Sequence, residues 1–119
     1  MSLKFVDKRR LYVANLLRRT ANKYDATIWK AVREMLLKPK RKRIAVNISK
    51  LNRYTSEGDV VVVPGKVVGS GSISHKITVG AYSYSLTAKE KLLEAGCEIL
   101  SIEELVNKYP DGKGVKIIT

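Results

Sequence analysis

The chain has 119 residues, 45% of them hydrophobic, and carries 23 Lys and Arg against 11 Asp and Glu, for a formal charge of +12 and a pI near 10.0. That length suffices for one compact domain spanning residues 1–119 and is short for two, and the apolar content excludes a wholly disordered chain. Apolar runs such as Val60-Val61-Val62-Val63 are far too short to cross a bilayer, so no membrane partner is expected.

In chain order, residues 8–22 read as a helix with Leu11, Val13, Leu16 and Leu17 as its apolar stripe and a basic opposite face. Asp25 or Thr27 is placed to cap a second helix through Leu37, with Ile28, Trp29, Val32, Met35 and Leu36 inward. Pro39 stops it, since proline lacks the N–H and disfavours helix at the preceding residue. A basic connector, residues 38–43, leads to a short strand at Ile44–Asn47 and a turn or two of helix at Ile48–Tyr54. Val60–Val63 is a β-branched run suited to a buried strand, with Pro64-Gly65 expected to end it in a turn. A Gly69–Ser72 loop, expected to be flexible, precedes a strand at Lys76–Tyr82. Thr87-Ala88-Lys89-Glu90 and Ser101-Ile102-Glu103-Glu104 have capping-box spacing. The first predicts a helix ending at Gly96 and the second a helix fading before Pro110, with a strand at Glu98–Leu100 between them. Asp111-Gly112 turns into a last strand, Val115–Ile118. The fold expected is α/β, a small sheet preceded by a basic helical extension and connector (1–43), with the α/β core at 44–119.

The charge is one-sided. Residues 1–53 hold sixteen basic and three acidic side chains, and residues 54–119 hold seven and eight. A field concentrated in one half favours a polyanion, because each phosphate neutralised releases a condensed counterion. Lys38, Lys40, Arg41, Lys42 and Arg43 form the densest run and can follow a phosphate backbone, Arg by forked hydrogen bonds as well as by charge. Arg9, Arg10, Arg18 and Arg19 add phosphate-contact candidates on the first helix, and Lys50 and Arg53 on the short one. Lys66, then Ser70 and Ser72 beside glycines, and His75 and Lys76 form a third group, because glycine permits close approach of backbone amides to phosphate. No nucleotide-binding pattern surrounds Gly69-x-Gly71. The solvated-surface alternative for all of this charge does not account for its one-sidedness.

The run Val60-Val61-Val62-Val63-Pro64-Gly65-Lys66-Val67-Val68-Gly69-Ser70-Gly71 resembles the archaeal and eukaryotic large-subunit ribosomal protein family L-eighteen-e, a relative of bacterial L-fifteen. Lys38-Pro39-Lys40 through Arg43 followed by Val46-Asn47-Ile48 and Lys50-Leu51 is a second match. Leu100-Ser101-Ile102-Glu103-Glu104-Leu105 with Asn107, Pro110 and Gly112 is a third. The resemblance covers roughly residues 5–118, and the short length is archaeal in character. It implies irregular β-β-α turns around a small sheet. It also implies a structural role in the large subunit, with ribosomal RNA and neighbouring ribosomal proteins as partners. It carries no catalytic residues, cofactor, metal or small-molecule substrate.

Other readings have weaker support. A single histidine leaves no Ser-His-Asp or multi-histidine metal arrangement, and His75 is better read as a surface hydrogen-bonder than as a general base. Trp29 and Cys97 are expected in the core. Tyr12, Tyr24, Tyr54, Tyr82, Tyr84 and Tyr109 are scattered, without the paired aromatics of a single-strand platform, so recognition of folded RNA by shape and phosphate is expected. A free nucleic-acid packaging protein shares the composition but not the three motifs. Met1-Ser2-Leu3-Lys4-Phe5 carries no apolar signal segment, and the single cysteine cannot pair within the chain, so a cytoplasmic protein is expected.

Overall fold

The computed structural model describes residues 7–39, 41 and 43–119; Lys40 and Lys42 of the expected connector lie outside them. Two helices come first, α1 (Lys8–Tyr24) and α2 (Thr27–Leu36). They are followed by β1 (Ile44–Asn47), α3 (Ile48–Tyr54), β2 (Val60–Val68), β3 (Thr78–Tyr84), α4 (Leu86–Glu94), β4 (Glu98–Ser101), α5 (Ile102–Lys108) and β5 (Val115–Ile117). The strands form one parallel sheet in the order β1-β2-β3-β4. Strand β5 joins β2 on the same side as β1, pairing with Val60–Val62 while β1 pairs with Gly65–Val68.

Chain handedness distributes the helices. From β1 to β4 the strands advance in one direction across the sheet, and right-handed crossovers put α3 and α4 on one face. From β4 the chain returns to β5 beyond β2, so the same handedness puts α5 on the other face, where the α1–α2 pair also lies. Both faces are therefore covered, as a parallel sheet requires. This explains the valine run: Val61, Val63 and Val67 enter a core under α3 and α4, and Val62 enters a second core with Val13, Leu17, Trp29, Val32 and Leu105. Trp29 is fully buried, its indole N–H donating to Pro110 O at 3.0 Å, and Cys97 is buried.

Several local expectations are corrected. Pro64-Gly65 does not end β2. The strand continues to Val68 through a register shift between Val63 and Lys66, a bulge that accommodates a proline without a ladder N–H. Gly65 is needed there because a Cβ would lie 2.1 Å from Ile44 O of the adjoining strand. Strand β3 starts at Thr78, not Lys76, because residues 69–77 form the crossover that carries the chain back along the sheet. Helix α2 is entered from Ala26 with no side-chain cap, whereas Asp25 closes α1 in the left-handed conformation (φ 51°). Helix α4 is capped by Ser85, whose hydroxyl accepts from Ala88 N at 3.1 Å, so Thr87 lies inside the helix. Leu11, expected in the apolar stripe, is 49% exposed, and Ala14, Thr20 and Ala21 take the inward face with Val13 and Leu17. The Ser101 capping box forms as expected, with Ser101 N donating to Glu104 Oε1 and Glu104 N donating to Ser101 Oγ.

Candidate nucleic-acid interface

Helix α1 contains no acidic residue. Once Val13, Ala14, Leu17, Thr20 and Ala21 are buried, the helical period leaves Lys8, Leu11, Tyr12, Asn15, Arg18, Arg19, Asn22 and Lys23 exposed. Arg18 and Arg19 thus stand with Lys8 and Lys23 on one exposed surface that also carries Leu11, Tyr12, Asn15 and Asn22. Sequence reasoning named only the two arginines; the signal for the rest was the absence of any carboxylate at i±3 or i±4 from Lys8, Arg18, Arg19 or Lys23.

Arg9 and Arg10 point differently. The Arg9 guanidinium grips Glu103, with Nε at 3.0 Å from Oε2 and Nη2 at 2.9 Å from Oε1, while Nη1 donates to Tyr82 O. Arg10 Nη1 donates to Leu36 O at 2.7 Å, satisfying a carbonyl at the end of α2. Both guanidinium carbons sit 4.2 Å from the Tyr82 ring centroid, within cation–π range. The Tyr82 hydroxyl donates to Asp7, the residue whose carboxylate also caps α1 by accepting from Arg9 N and Arg10 N. That phenol hydrogen bond, more than any nearby charge, holds the Asp7 carboxyl below the usual range. Burial lowers the Arg10 pKa, and the neighbouring positive charge of Arg43 adds to the effect.

The Arg10–Leu36 bond brings the start of α1 beside the end of α2, so the connector emerges next to Arg10. Lys38, Arg41 and Arg43 are all exposed there. Lys66, expected just beyond a turn, is instead a strand residue, in register with Ala45 on one side and Ser83 on the other. Val46 and Val67 in the following row are buried, so the row Ala45, Lys66, Ser83 faces the opposite side, where Lys66 stands exposed. Lys50 and Arg53 are exposed on α3, across the sheet from α1 and reached around the β1 edge.

The Gly69–Ser72 loop is pinned rather than loose. Lys91 Nζ donates to Gly69 O and Gly71 O at 2.6 Å each, and Ser49 N donates to Ser70 O at 3.1 Å. At Gly71 (φ +93°) a Cβ would lie 2.5 Å from Ser49 Cβ. Ser70 and Ser72 remain exposed at the end of the sheet where the strands terminate. His75 and Lys76 do not join them. Because β2 and β3 are parallel, residues 69–77 travel the length of the sheet and deliver these two to its other end. The Thr55 hydroxyl donates to Leu51 O at 2.6 Å, so its oxygen accepts from His75 Nε2–H, also at 2.6 Å. The histidine's partner is a hydroxyl of its own chain.

Carboxylates collect at that other end. Glu57 and Asp59 precede β2, Glu98 opens β4, and Asp25 and Asp111 follow α1 and α5. Lys116 pairs with Asp59 and Lys108 with Glu98, each at 2.9 Å. The Ser56 amide and Lys116 hold the Asp59 carboxyl below its ordinary value, and Lys108 does the same for Glu98. The molecule therefore has a cationic end, where strands finish and the connector emerges, and a charge-balanced end, where strands begin.

A cleft of about 380 Å³ lies at the ends of β3 and β4, lined by Tyr82, Ser83, Tyr84, Lys89, Ser101 and Glu104 among others. Its groups are tied internally. Glu104 accepts from Ser101 N, and the Tyr84 hydroxyl lies 2.7 Å from Leu100 O and 3.0 Å from Val79 O, with burial pushing that phenol well above its usual range. Among the described residues no group of three or more His, Cys, Asp and Glu is placed to hold a metal ion, and no helix is long and apolar enough to cross a membrane.

Fold and charge together define a small basic α/β protein that exposes cations on α1, on the connector and at Lys66, and gathers Glu57, Asp59 and Glu98 at the opposite end of the sheet. The chain belongs to the family described as "Ribosomal protein 60S L18 and 50S L18e", whose model matches residues 6–119. It is 50% identical over 106 residues to the protein named large ribosomal subunit protein eL18 of Pyrobaculum aerophilum, covering 89% of this chain and 87% of that one. It is 47% identical over 102 residues to the protein of the same name from Methanococcus maripaludis, covering 86% and 85%. For the Methanothermobacter thermautotrophicus protein, again of that name, the identity is 46%, with 86% and 84% covered. The family resemblance carried by the three sequence motifs is thus borne out across nearly the whole chain.

Proposed function

We propose that this chain is a structural constituent of the cytoplasmic large ribosomal subunit, where it binds ribosomal RNA through its cationic end and touches neighbouring ribosomal proteins. The segregation of charge carries the reading. The connector, the exposed stripe of α1, and Lys66 present cations without intervening carboxylates, while most of the chain's acidic groups lie elsewhere. Arg18, Arg19, Lys38, Lys40, Arg41, Lys42, Arg43, Lys50, Arg53 and Lys66 act as phosphate contacts in this reading, with the Ser70 and Ser72 hydroxyls beside them. Arg9 and Arg10, already hydrogen-bonded within the protein, set the angle at which α1 meets the sheet. His75 and Lys76 contact RNA only if a separate strand passes the far end of the sheet. Residues 1–119 act as one domain, because α1 and α2 share a core with β2 and α5. The mechanism is architectural: phosphates that converge in folded RNA are neutralised by a surface held in register by the sheet.

Sedimentation of lysate through a sucrose gradient, repeated after a high-salt wash, tests this. Stoichiometric recovery with the large subunit after the wash is the expected result. Recovery at the top of the gradient, or with DNA, overturns it in favour of a free packaging protein.

A further inference from the structure

Helix α4 buries Ala88 and Leu92, yet it also carries leucine on its outer face. Leu86 is 74% exposed and Leu93 63%, the two most exposed large hydrophobic side chains among the described residues. Seven positions apart, they lie within about 20° of each other around the helix and about 10 Å apart along it. A lone exposed leucine is ordinary, whereas two on one stripe form a patch. Glu90 and Glu94 are exposed along one flank of the stripe and Lys89 along the other. Beside Glu94 runs a groove of about 300 Å³ lined by Gly71, Ser72, Ile73, Lys91, Glu94 and Ala95. The Lys91 ammonium is turned into the protein, onto the carbonyl oxygens of Gly69 and Gly71, and so leaves the flank acidic.

We propose that the outer face of α4 docks a basic, apolar-bearing segment of another protein in the same particle. Its apolar side chains cover Leu86 and Leu93, and its Lys or Arg side chains meet Glu90 and Glu94. This rests on the ribosomal reading above and adds a protein-facing surface to it. RNA fits poorly here, because phosphates would meet two carboxylates, with Lys91 pointing inward and only Lys89, across the stripe, to offset them. Helix α1 makes the contrast: it exposes Leu11 and Tyr12 as well, but among cations, and the nearby Asp7 carboxylate is taken up by the Tyr82 hydroxyl and the Arg9 and Arg10 amides. The same physical rule, apolar contact with complementary charge at the rim, assigns α1 to a polyanion and α4 to a polycation.

The test places the photo-crosslinking side chain benzoylphenylalanine at position 93, where exposure leaves folding undisturbed, and irradiates purified large subunits containing the chain. A crosslink to a different polypeptide, mapped to a stretch rich in Lys or Arg, is expected. Glu90→Lys with Glu94→Lys, the photoprobe retained, should cut its yield roughly tenfold. A crosslink to RNA, a crosslink to a second copy of this chain, an unchanged yield in the charge-reversed variant, or no crosslink in subunits that contain the chain each overturns the docking proposal alone. Absence of the chain from the large subunit removes the ribosomal reading and this one with it.

Discussion

Around Tyr82 two guanidinium groups stack on one ring while the ring's hydroxyl and the arginines' own N–H groups reach Asp7, Glu103 and Leu36, so α1 is fixed to both the sheet and α2 by one side-chain cluster. Within that cluster the Arg9–Glu103 pair is forked and Glu103 is largely shielded, with 23% of its side chain exposed. The hydrogen bonds from Arg9 hold the Glu103 carboxyl below its ordinary value of 4.5, against the opposing effect of burial. A carboxylate with a depressed folded pKa contributes stability that is present above the unfolded pKa and is lost as pH falls through the folded value. Glu103→Gln should therefore lower stability by about 1 kcal/mol at pH 7, a figure discounted because Arg9 is 40% exposed. The gap between variant and parent should narrow as pH falls below 4.5. Urea denaturation at pH 7 and at acid pH measures it. A gap that stays constant with pH would show that packing, not the ion pair, joins α1 to α5.

At the scale of elements, two errors of sequence reading have the same origin and each yields a measurement. Thr87-x-x-Glu90 has the spacing of a capping box, but Ser85-x-x-Ala88 forms the cap, because Ser85 directly follows β3 with its N–H bound to Val67 O and so fixes where the helix starts. Ser85→Ala should cost about 1 kcal/mol and Thr87→Ala much less, read from thermal or urea unfolding. Equal losses would mean that the cap is shared. Pro64-Gly65 likewise looks like a turn locally; the bulge belongs to the pairing of β2 with β3, and β1 carries the strand on from Gly65. Gly65→Ala places a methyl against Ile44 O and should cost about 2–3 kcal/mol. Gly58→Ala meets no atom within 4 Å and should cost only the 1–2 kcal/mol of its positive φ of +86°. If Gly58→Ala proves the costlier change, the close approach of β1 to β2 is not what Gly65 provides. Strand and helix positions were legible from apolar period and from Ser101, Gly96 and Pro39. The bulge and the Ser85 cap were not, because both are settled by contacts distant in sequence.

For the whole molecule, the sequence shows how much charge lies in each half but not how the fold orients it. The stripe on α1 and the connector stay together because Arg10 ties the two helix ends. His75 and Lys76 separate from Ser70 and Ser72 because a parallel crossover must traverse the sheet, a consequence of topology that spacing along the chain conceals. An oriented cationic surface makes a quantitative prediction that total charge does not. If six to ten phosphates are engaged, affinity for a ribosomal RNA fragment should fall by about 10³–10⁵ between 50 and 200 mM salt. Each lost phosphate contact removes roughly 0.7–0.9 from the slope of log K against log salt. Replacing Arg41, Arg43 and Lys66 with alanine should therefore flatten that slope by about 2–3. Replacing Lys108, Lys113 and Lys116, an equal loss of charge at the opposite end, where Lys108 and Lys116 already pair with Glu98 and Asp59, should leave it nearly unchanged. Filter binding across a salt series on the parent and both triple variants separates the two outcomes. Equal flattening in both variants would mean that the RNA responds to the net field of the protein, and that the cationic end is a surface of high charge without being a docking face.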